Sequence, residues 1–388
     1  MTVHLLATPN VQQTKAFVMD GFAMITLRFC EILKRLGVQT ILYGSEETDA
    51  SVSKLVTCIS KAEIETMLAG QPYQRCNYAA ENPMFGAFNA RASSALAGLK
   101  RHGDLIATIC GTANGIVSQS HPDLTYLEWS VGYQGVAAHS HRIYQSHAWR
   151  SCVHGYTATQ MGREFDAVIP PFYDVATFTP RAPEDYVLFV GRTDPVKGAP
   201  LACRIAQEAG VRLVLIGYGD AKEITYGENL GSVSDEERNR LLAGALCVLM
   251  PTRYIEPFGQ VSAEAQLCGT PVLGPDFGAY VETIDHGVSG YRCTSLGEYV
   301  AAVDLARSLN RHVIRDRAVR LWSLETAVES YRRYFARLAR LRADGFDSLE
   351  GFHGSDGLDT GSTRDLESAA RRAERYLGTL ADEAEAVA

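Results

Sequence analysis

The sequence predicts an α/β protein of two domains, each a parallel sheet interleaved with helices. Three observations predict it. Short apolar runs rich in Val, Ile and Leu alternate with amphipathic stretches, first over residues 1–150 and again from residue 186. Such strands pair in parallel, because a crossover helix must carry the chain back to the start of the next strand. Between the two series, DAVIPPFYDVATFTPRAPED (166–185) carries four prolines, which suits an interdomain crossing better than a helix or a central strand. Finally, 388 residues with 46% hydrophobic and 21% charged side chains are enough for two cores. Two such series make two Rossmann-like domains facing across a cleft.

In chain order, VHLLAT (3–8) reads as the first strand, Gly21–Leu36 as an amphipathic helix stopped by Gly37, and VQTILYG (38–44) as the next strand. DLIATIC (104–110) and LTYLEW (124–129) are strand-like, with weaker helical signals between them. The second series runs YVLFVGR (186–192), a helix from about Pro200 to Ala209, VRLVLIGYG (211–219), a helix around 235–244, the apolar strand in GALCVLMP (244–251), and PVLGPD (271–276). Residues 296–340 are helical by period. Residues 344–363 are rich in Gly, Ser and Asp and read as a flexible linker. The tail 364–388 sets Leu366, Tyr376, Leu377 and Leu380 on a weak stripe. That stripe suits a solvated helix, or docking on a second copy in a homodimer.

Charge and cysteine usage narrow the function classes. Residues 1–150 hold 12 Lys and Arg against 11 Asp and Glu, which leaves 25 against 34 for the remainder of the chain. Neither part carries the basic footprint of a nucleic-acid or membrane-surface binder, so no nucleic-acid partner is expected. No apolar run is long enough to span a bilayer, and MTVHLLATPN lacks the layout of a signal peptide. The nine cysteines are scattered without a C-x-x-C pair, as expected of reduced thiols in a cytoplasmic protein.

The densest chemistry lies in EPFGQVSAEAQLCGTPVLGPDFGAYVETIDHGVSGYR, Glu256–Arg292. Glu256 and Glu264 stand eight positions apart across a Phe-Gly turn that can end a loop and open a helix. The strand before it places that turn where open α/β sheets bind ligands. A helix N-terminus offers backbone N–H groups to an anion, and Gly259 removes the side chain that would block approach. Acids beside an anion site suit a ligand with both phosphate and hydroxyls. Upstream, FVGRTDPVKGAP (189–200) sets Arg192 and Lys197 five positions apart in a loop before a helix, where two cations could hold a diphosphate.

With Pro-Phe-Gly after the first acid and Gly-Thr-Pro-Val beyond the second, this pattern resembles the retaining GT4-type glycosyltransferases of GT-B fold. The resemblance covers residues 160–335 closely and 1–160 loosely. It implies an N-terminal acceptor domain (1–168), a crossing (169–185), a C-terminal donor domain (186–320), a helix returning to the first domain (321–340), and a linker and tail (341–388). It also implies a nucleotide-sugar donor, UDP- or GDP-linked, with no cofactor and no metal. In the resembled family Arg192 and Lys197 would contact the donor diphosphate, Glu264 the ribose and Glu256 the transferred sugar. Backbone N–H groups at Phe258, Gly259, Gln260 and Val261 would face phosphate or sugar. Val233 would meet the base, and Gly217 would let the backbone approach the nucleoside. Gly21 stands where the family has a Gly-Gly pair; the second position here is Phe22, a departure expected to reshape the sugar or acceptor pocket.

The acceptor is less legible. Five of the ten histidines fall between His121 and His154, which suggests a polar site on the first domain. Alignment of LTYLEW with the family strand that ends in a contact to the donor sugar puts Glu128 in that place. Tyr133, His139 and His141 are further acceptor-side candidates. Retention without a protein nucleophile, the donor phosphate taking the acceptor proton, competes with double displacement through Glu128. The near-neutral first half favours a soluble small-molecule acceptor. A lipid-linked or macromolecular acceptor at a membrane surface is the alternative, and a degenerate sugar-nucleotide-binding protein the non-enzyme alternative. A sugar-phosphate synthase would need added cations in the first domain, and no such cluster is visible in the sequence.

Overall fold

The computed structural model describes residues 1–341 apart from 18–19, 74–75, 138–139 and 160–164. The expectations for His139 and for the linker and tail lie outside the described residues.

The first sheet is wholly parallel. Its elements are β1 (Thr2–Leu6), α1 (Gly21–Arg35), β2 (Gln39–Gly44), β3 (Lys54–Thr57), α2 (Lys61–Leu68), α3 (Pro83–Leu99), β4 (Leu105–Thr108), α4 (Gly115–Ser120), β5 (Thr125–Val131), β6 (His141–Tyr144), α5 (His147–Tyr156) and β7 (Ala167–Val168). The strand order is β3-β2-β1-β4-β5-β6-β7, so the chain reverses direction across the sheet between β1 and β4. β4 and β5 are buried throughout, which is why they read as unbroken apolar runs rather than alternating ones. α1 begins where Asp20 accepts the Ala23 N–H at 2.8 Å, and it buries Phe29, Ile32 and Leu33 on one stripe.

The second sheet repeats the plan. It comprises β8 (Val187–Val190), α6 (Ala199–Glu208), β9 (Leu213–Ile216), β10 (Glu228–Asn229), α7 (Asp235–Gly244), β11 (Cys247–Leu249), α8 (Gln260–Leu267), β12 (Val272–Pro275), α9 (Tyr280–Thr283) and β13 (Gly290–Cys293). The order is β10-β9-β8-β11-β12-β13, again parallel, with the reversal between β8 and β11. Core residues pack on both faces of this sheet, one cluster including Leu188, Val248 and Trp322 and the other Phe189, Leu249 and Val303.

α10 (Leu296–Ala306), α11 (Arg311–Trp322) and α12 (Leu324–Leu341) complete the described chain. α12 returns to the first domain: Tyr331 lies 5.3 Å from the Phe29 ring of α1, and the Tyr334 hydroxyl donates to the Phe165 carbonyl at 3.2 Å. The two passages between domains run side by side, with the Tyr173 N–H donating to the Trp322 carbonyl at 2.9 Å. All nine cysteines are free, and all but Cys76 and Cys152 are buried. Among the described residues no helix is long and apolar enough to cross a membrane.

Candidate functional site

Open parallel sheets bind ligands at the carboxyl ends of the strands flanking the reversal in strand order. In the second domain those ends are the loops after β8 and β11. The loop after β8 is organised by Asp194, which pairs with Arg192 at 3.1 Å and accepts the Lys197 N–H at 2.8 Å. It ends at Gly198 in a left-handed conformation, where a Cβ would lie 2.1 Å from the Pro251 carbonyl oxygen. Only glycine lets the two loops touch there. The contact brings the Lys197 amine to the Glu256 carboxylate at 2.8 Å and to the Tyr254 hydroxyl at 2.6 Å. The same hydroxyl donates to Glu256 at 2.7 Å, so all three side chains form one closed cluster. Tyr254 is pushed well above its ordinary pKa by burial and then by Glu256, and it stays a neutral donor.

The chain then turns at Gly259, in a left-handed conformation that caps α8, with a Cβ position 3.1 Å from the Tyr280 ring. The N–H groups that open α8 have no intrahelical partner and carry the positive end of its dipole. Phe258 sits behind them with its ring in the core, 5.9 Å from Trp322. One turn into α8, the buried Glu264 carboxylate accepts a hydrogen bond from Arg238 of α7. Burial opposes the Arg238 charge, but Glu264 outweighs it and holds the guanidinium above its usual pKa.

These groups line one cleft with two lobes that share Gly21, Gly191, Lys197 and Gln260. The first lobe, of about 920 Å³, is walled by Arg192, Gly217, Val233, Arg238 and Glu264 of the second domain and by Arg28 and Lys15 of the first. The second, of about 1010 Å³, is walled by Tyr254, Glu256, Gly259 and Val261 on one side and by Phe22, Tyr78, Tyr133 and Trp149 on the other. Glu256 and Glu264 thus line adjacent lobes, each paired with its own cation. Gly217 has a packing reason of its own, since a Cβ there would lie 1.9 Å from the Gly191 carbonyl oxygen. A Cβ on Gly21 would meet nothing within 4 Å, so the space in front of the α1 N-terminus is open cleft.

The first-domain expectations need correction. Glu128 is fully buried and does not reach the cleft. Its carboxyl accepts from Ser140 Oγ at 2.6 Å, the Ala137 N–H at 3.1 Å and the Tyr133 hydroxyl at 3.2 Å, with Arg142 at 3.4 Å. It holds Tyr133, Ala137 and Ser140 to the end of β5, and burial raises its pKa. The misreading has a local cause: β5 runs on to Val131, two residues past the expected strand end, and the cleft begins at Ser130. Tyr133 does line the cleft. His141 opens β6 with its ring edge-on to Phe165 at 5.1 Å, away from both lobes.

The described histidines of the cluster do not come together in the fold. His121 meets Ser93 at 3.0 Å and His154 meets Asp166 at 2.8 Å. Among the described residues no group of His, Cys, Asp and Glu is placed to hold a metal. Sequence reading missed Tyr254, Arg238, Gln145 and Trp149 on the cleft walls. It also missed the cations Lys15, Arg28 and Arg35 that α1 and the segment before it bring to the first lobe. Arg28 stacks over Tyr173 at 5.1 Å, and Arg35 is engaged by Glu31 at 2.9 Å.

Two parallel domains, a cleft built at both strand reversals and a returning C-terminal helix define the GT-B fold class. Comparison with known proteins agrees. Residues 177–309 match the family described as "Glycosyl transferases group 1". The D-inositol 3-phosphate glycosyltransferase of Mycobacterium marinum is 28% identical over 168 residues, 35% of this chain and 36% of that protein. The aligned stretch therefore spans about a third of the length of that curated relative. Among solved structures, AviGT4, a glycosyltransferase involved in avilamycin A biosynthesis, superposes with a TM-score of 0.59 at 22% identity, covering 87% of this chain and 98% of that one. Anabaena Alr3699/HepE in complex with UDP and glucose gives a TM-score of 0.56 at 16% identity, covering 87% and 100%. The chain resembles the GT4-type glycosyltransferases, most directly through its second domain.

Proposed function

We propose that this protein is a retaining glycosyltransferase that moves a sugar from a nucleotide donor to a soluble small-molecule acceptor in the cytoplasm. One observation carries the reading: Arg192, the Lys197–Glu256 pair and the Arg238–Glu264 pair converge around the open N-terminus of α8. A nucleoside diphosphate fits the cationic first lobe, with its ribose on Glu264 and its base beside Val233. Its sugar then projects past Lys197 toward Glu256 in the second lobe. UDP is the favoured nucleotide, in keeping with the UDP bound in the Anabaena neighbour.

The chemistry follows from where charge grows. As the glycosidic C–O bond breaks, negative charge develops on the diphosphate, and Arg192, Lys197 and the α8 dipole lie where that charge appears. No divalent ion is required by this arrangement. The donor phosphate oxygen takes the acceptor proton on the face it leaves, which retains the anomeric configuration. Double displacement through Glu128 is set aside, since its carboxyl is walled off from the cleft. Binding of the diphosphate draws the Lys197 amine from Glu256 and frees that carboxylate for sugar hydroxyls.

A thermal-shift screen of UDP, GDP and their sugars tests the donor, because a ligand at a hundred times its Kd raises stability by about 2.7 kcal/mol. Lys197→Ala is expected to cut nucleotide release by roughly a hundredfold or more, the scale of losing one charge-stabilising group, and Glu264→Ala, which removes a ribose contact, to lower kcat/KM for the donor by about tenfold or more. Wild-type turnover in either variant refutes the site. The anomeric proton of the product, read by NMR, reports retention; an inverted product refutes the mechanism.

A further inference from the structure

The first-domain wall of the second lobe has a chemistry of its own, and the inference drawn from it rests on the donor–acceptor reading above. Phe22, in the first turn of α1, lies 4.9 Å from the Tyr78 ring and 6.2 Å from the Tyr133 ring. Both phenols are tied back into the protein. The Tyr78 hydroxyl donates to Asp20 at 3.1 Å and accepts from Asn10 at 2.9 Å; the Tyr133 hydroxyl donates to Glu128 at 3.2 Å. With their polar ends engaged, these side chains offer ring carbon to the cleft. Polar groups border them: Gln134, Ser130, and Gln145, whose amide is fixed by donation to the Ser130 carbonyl at 3.1 Å.

A surface of aromatic faces edged by amides and a hydroxyl matches a ring with apolar C–H faces and an equatorial rim of hydroxyls. Charge points the same way. Among the described residues of this wall the one charged group is Asp20, a carboxylate, so a phosphate there would meet a like charge; Lys197, the cation among the lobe's described lining residues, stands on the opposite wall and is engaged by Glu256 at 2.8 Å. Lys15, Arg28 and Arg35 of the first domain instead line the other lobe. Phe22 is decisive because its ring meets both tyrosine rings and supplies the centre of the aromatic cluster.

We propose that the second lobe accepts an uncharged carbohydrate ring stacked on Phe22, Tyr78 and Tyr133, and that it discriminates against phosphorylated acceptors. The test is saturation-transfer NMR on the full chain, with UDP or GDP present and methyl α-glucoside, α-galactoside, α-mannoside, glucose 6-phosphate and phenol as probes. At least one methyl glycoside is expected to receive saturation at its ring C–H protons, with glucose 6-phosphate at least about fivefold weaker. In Phe22→Gly the glycoside signal is expected to fall about fivefold relative to the nucleotide signal in the same sample. Phe22→Leu, which keeps apolar bulk without a ring, repeats the comparison should the glycine variant fail to fold. Nucleotide binding without any glycoside signal overturns the proposal and leaves the donor site standing. An equal signal from glucose 6-phosphate, a signal from phenol alone, or an unchanged ratio in both variants also overturns it. Failure of both UDP and GDP to bind overturns the donor reading itself, and this inference with it.

Discussion

At the residue scale, Tyr254 joins the two charges at the centre of the proposed donor site. Its hydroxyl touches both the Lys197 amine and the Glu256 carboxylate, a link made across 57 residues of sequence on one side and two on the other. Tyr254→Phe keeps the ring and removes that link. Turnover is expected to fall roughly tenfold, about 1.4 kcal/mol of barrier, with donor KM within about twofold of wild type. A raised KM with unchanged kcat would instead make Tyr254 a binding group only. Sequence pointed to Arg192, Lys197, Glu256 and Glu264 because each lies in a loop or helix start after an apolar strand, within motifs that resemble a known family. It did not point to Arg238 or Tyr254, whose partners become neighbours only when loops from different strands meet. A second residue-scale effect concerns pH. His4 is buried between Tyr43 at 2.9 Å and Asp104 at 3.3 Å, and burial lowers its pKa from 6.5 despite the opposing carboxylate. The unfolded chain takes up a proton near pH 6.5 while the folded one does not. The stabilisation is therefore complete above that pH and is lost as pH falls through the folded value. His121 is shifted the same way, by burial and then by Lys100. Melting temperature is expected to decline from pH 7 to 5, and His4→Asn to flatten part of that slope; an unchanged slope would rule His4 out as a source.

At the element scale, α1 shows how one helix start serves both stability and site. The Asp20 carboxylate caps the helix and also receives Asn10 at 2.9 Å and Tyr78 at 3.1 Å, so it holds the aromatic wall in place. Asp20→Ala is expected to cost roughly 2 kcal/mol, the sum of a lost cap and buried donors left without a partner. The urea midpoint would fall with an unchanged slope, and a loss under half a kcal/mol would show that the cap is not structural. Elements differ in how well they were legible. The central strands β1, β4, β8, β9 and β11 stand out because burial on both faces demands unbroken apolar runs. β7 and β10 are two residues long and edge-placed, too short to impose any period. α3 was missed although Asn82 and Pro83 mark its start, because its small residues give no clear apolar stripe.

At the scale of the whole molecule, the cleft depends on how the two domains are held. Glu282 of α9 accepts the N–H groups of His147 at 2.9 Å and Ala148 at 2.7 Å, so a carboxylate of one domain caps a helix of the other. A carboxylate at a helix N-terminus contributes about 1 kcal/mol, enough to bias an open–closed equilibrium severalfold. Glu282→Ala is expected to enlarge the donor-free radius of gyration in small-angle scattering, with the melting temperature changed by only a few degrees. An identical scattering curve would show that this contact does not set the domain spacing. The sequence by itself determined the two parallel-sheet domains, because buried strands leave local, periodic marks, and it singled out the charged loops after β8 and β11 through motifs that resemble a known family. The tertiary structure alone decided which charges pair, that Glu128 holds Tyr133, Ala137 and Ser140 rather than lining the cleft, and that Phe22, Tyr78 and Tyr133 share one wall. Those outcomes depend on side chains distant in sequence meeting across folded loops, and no local pattern records such a meeting.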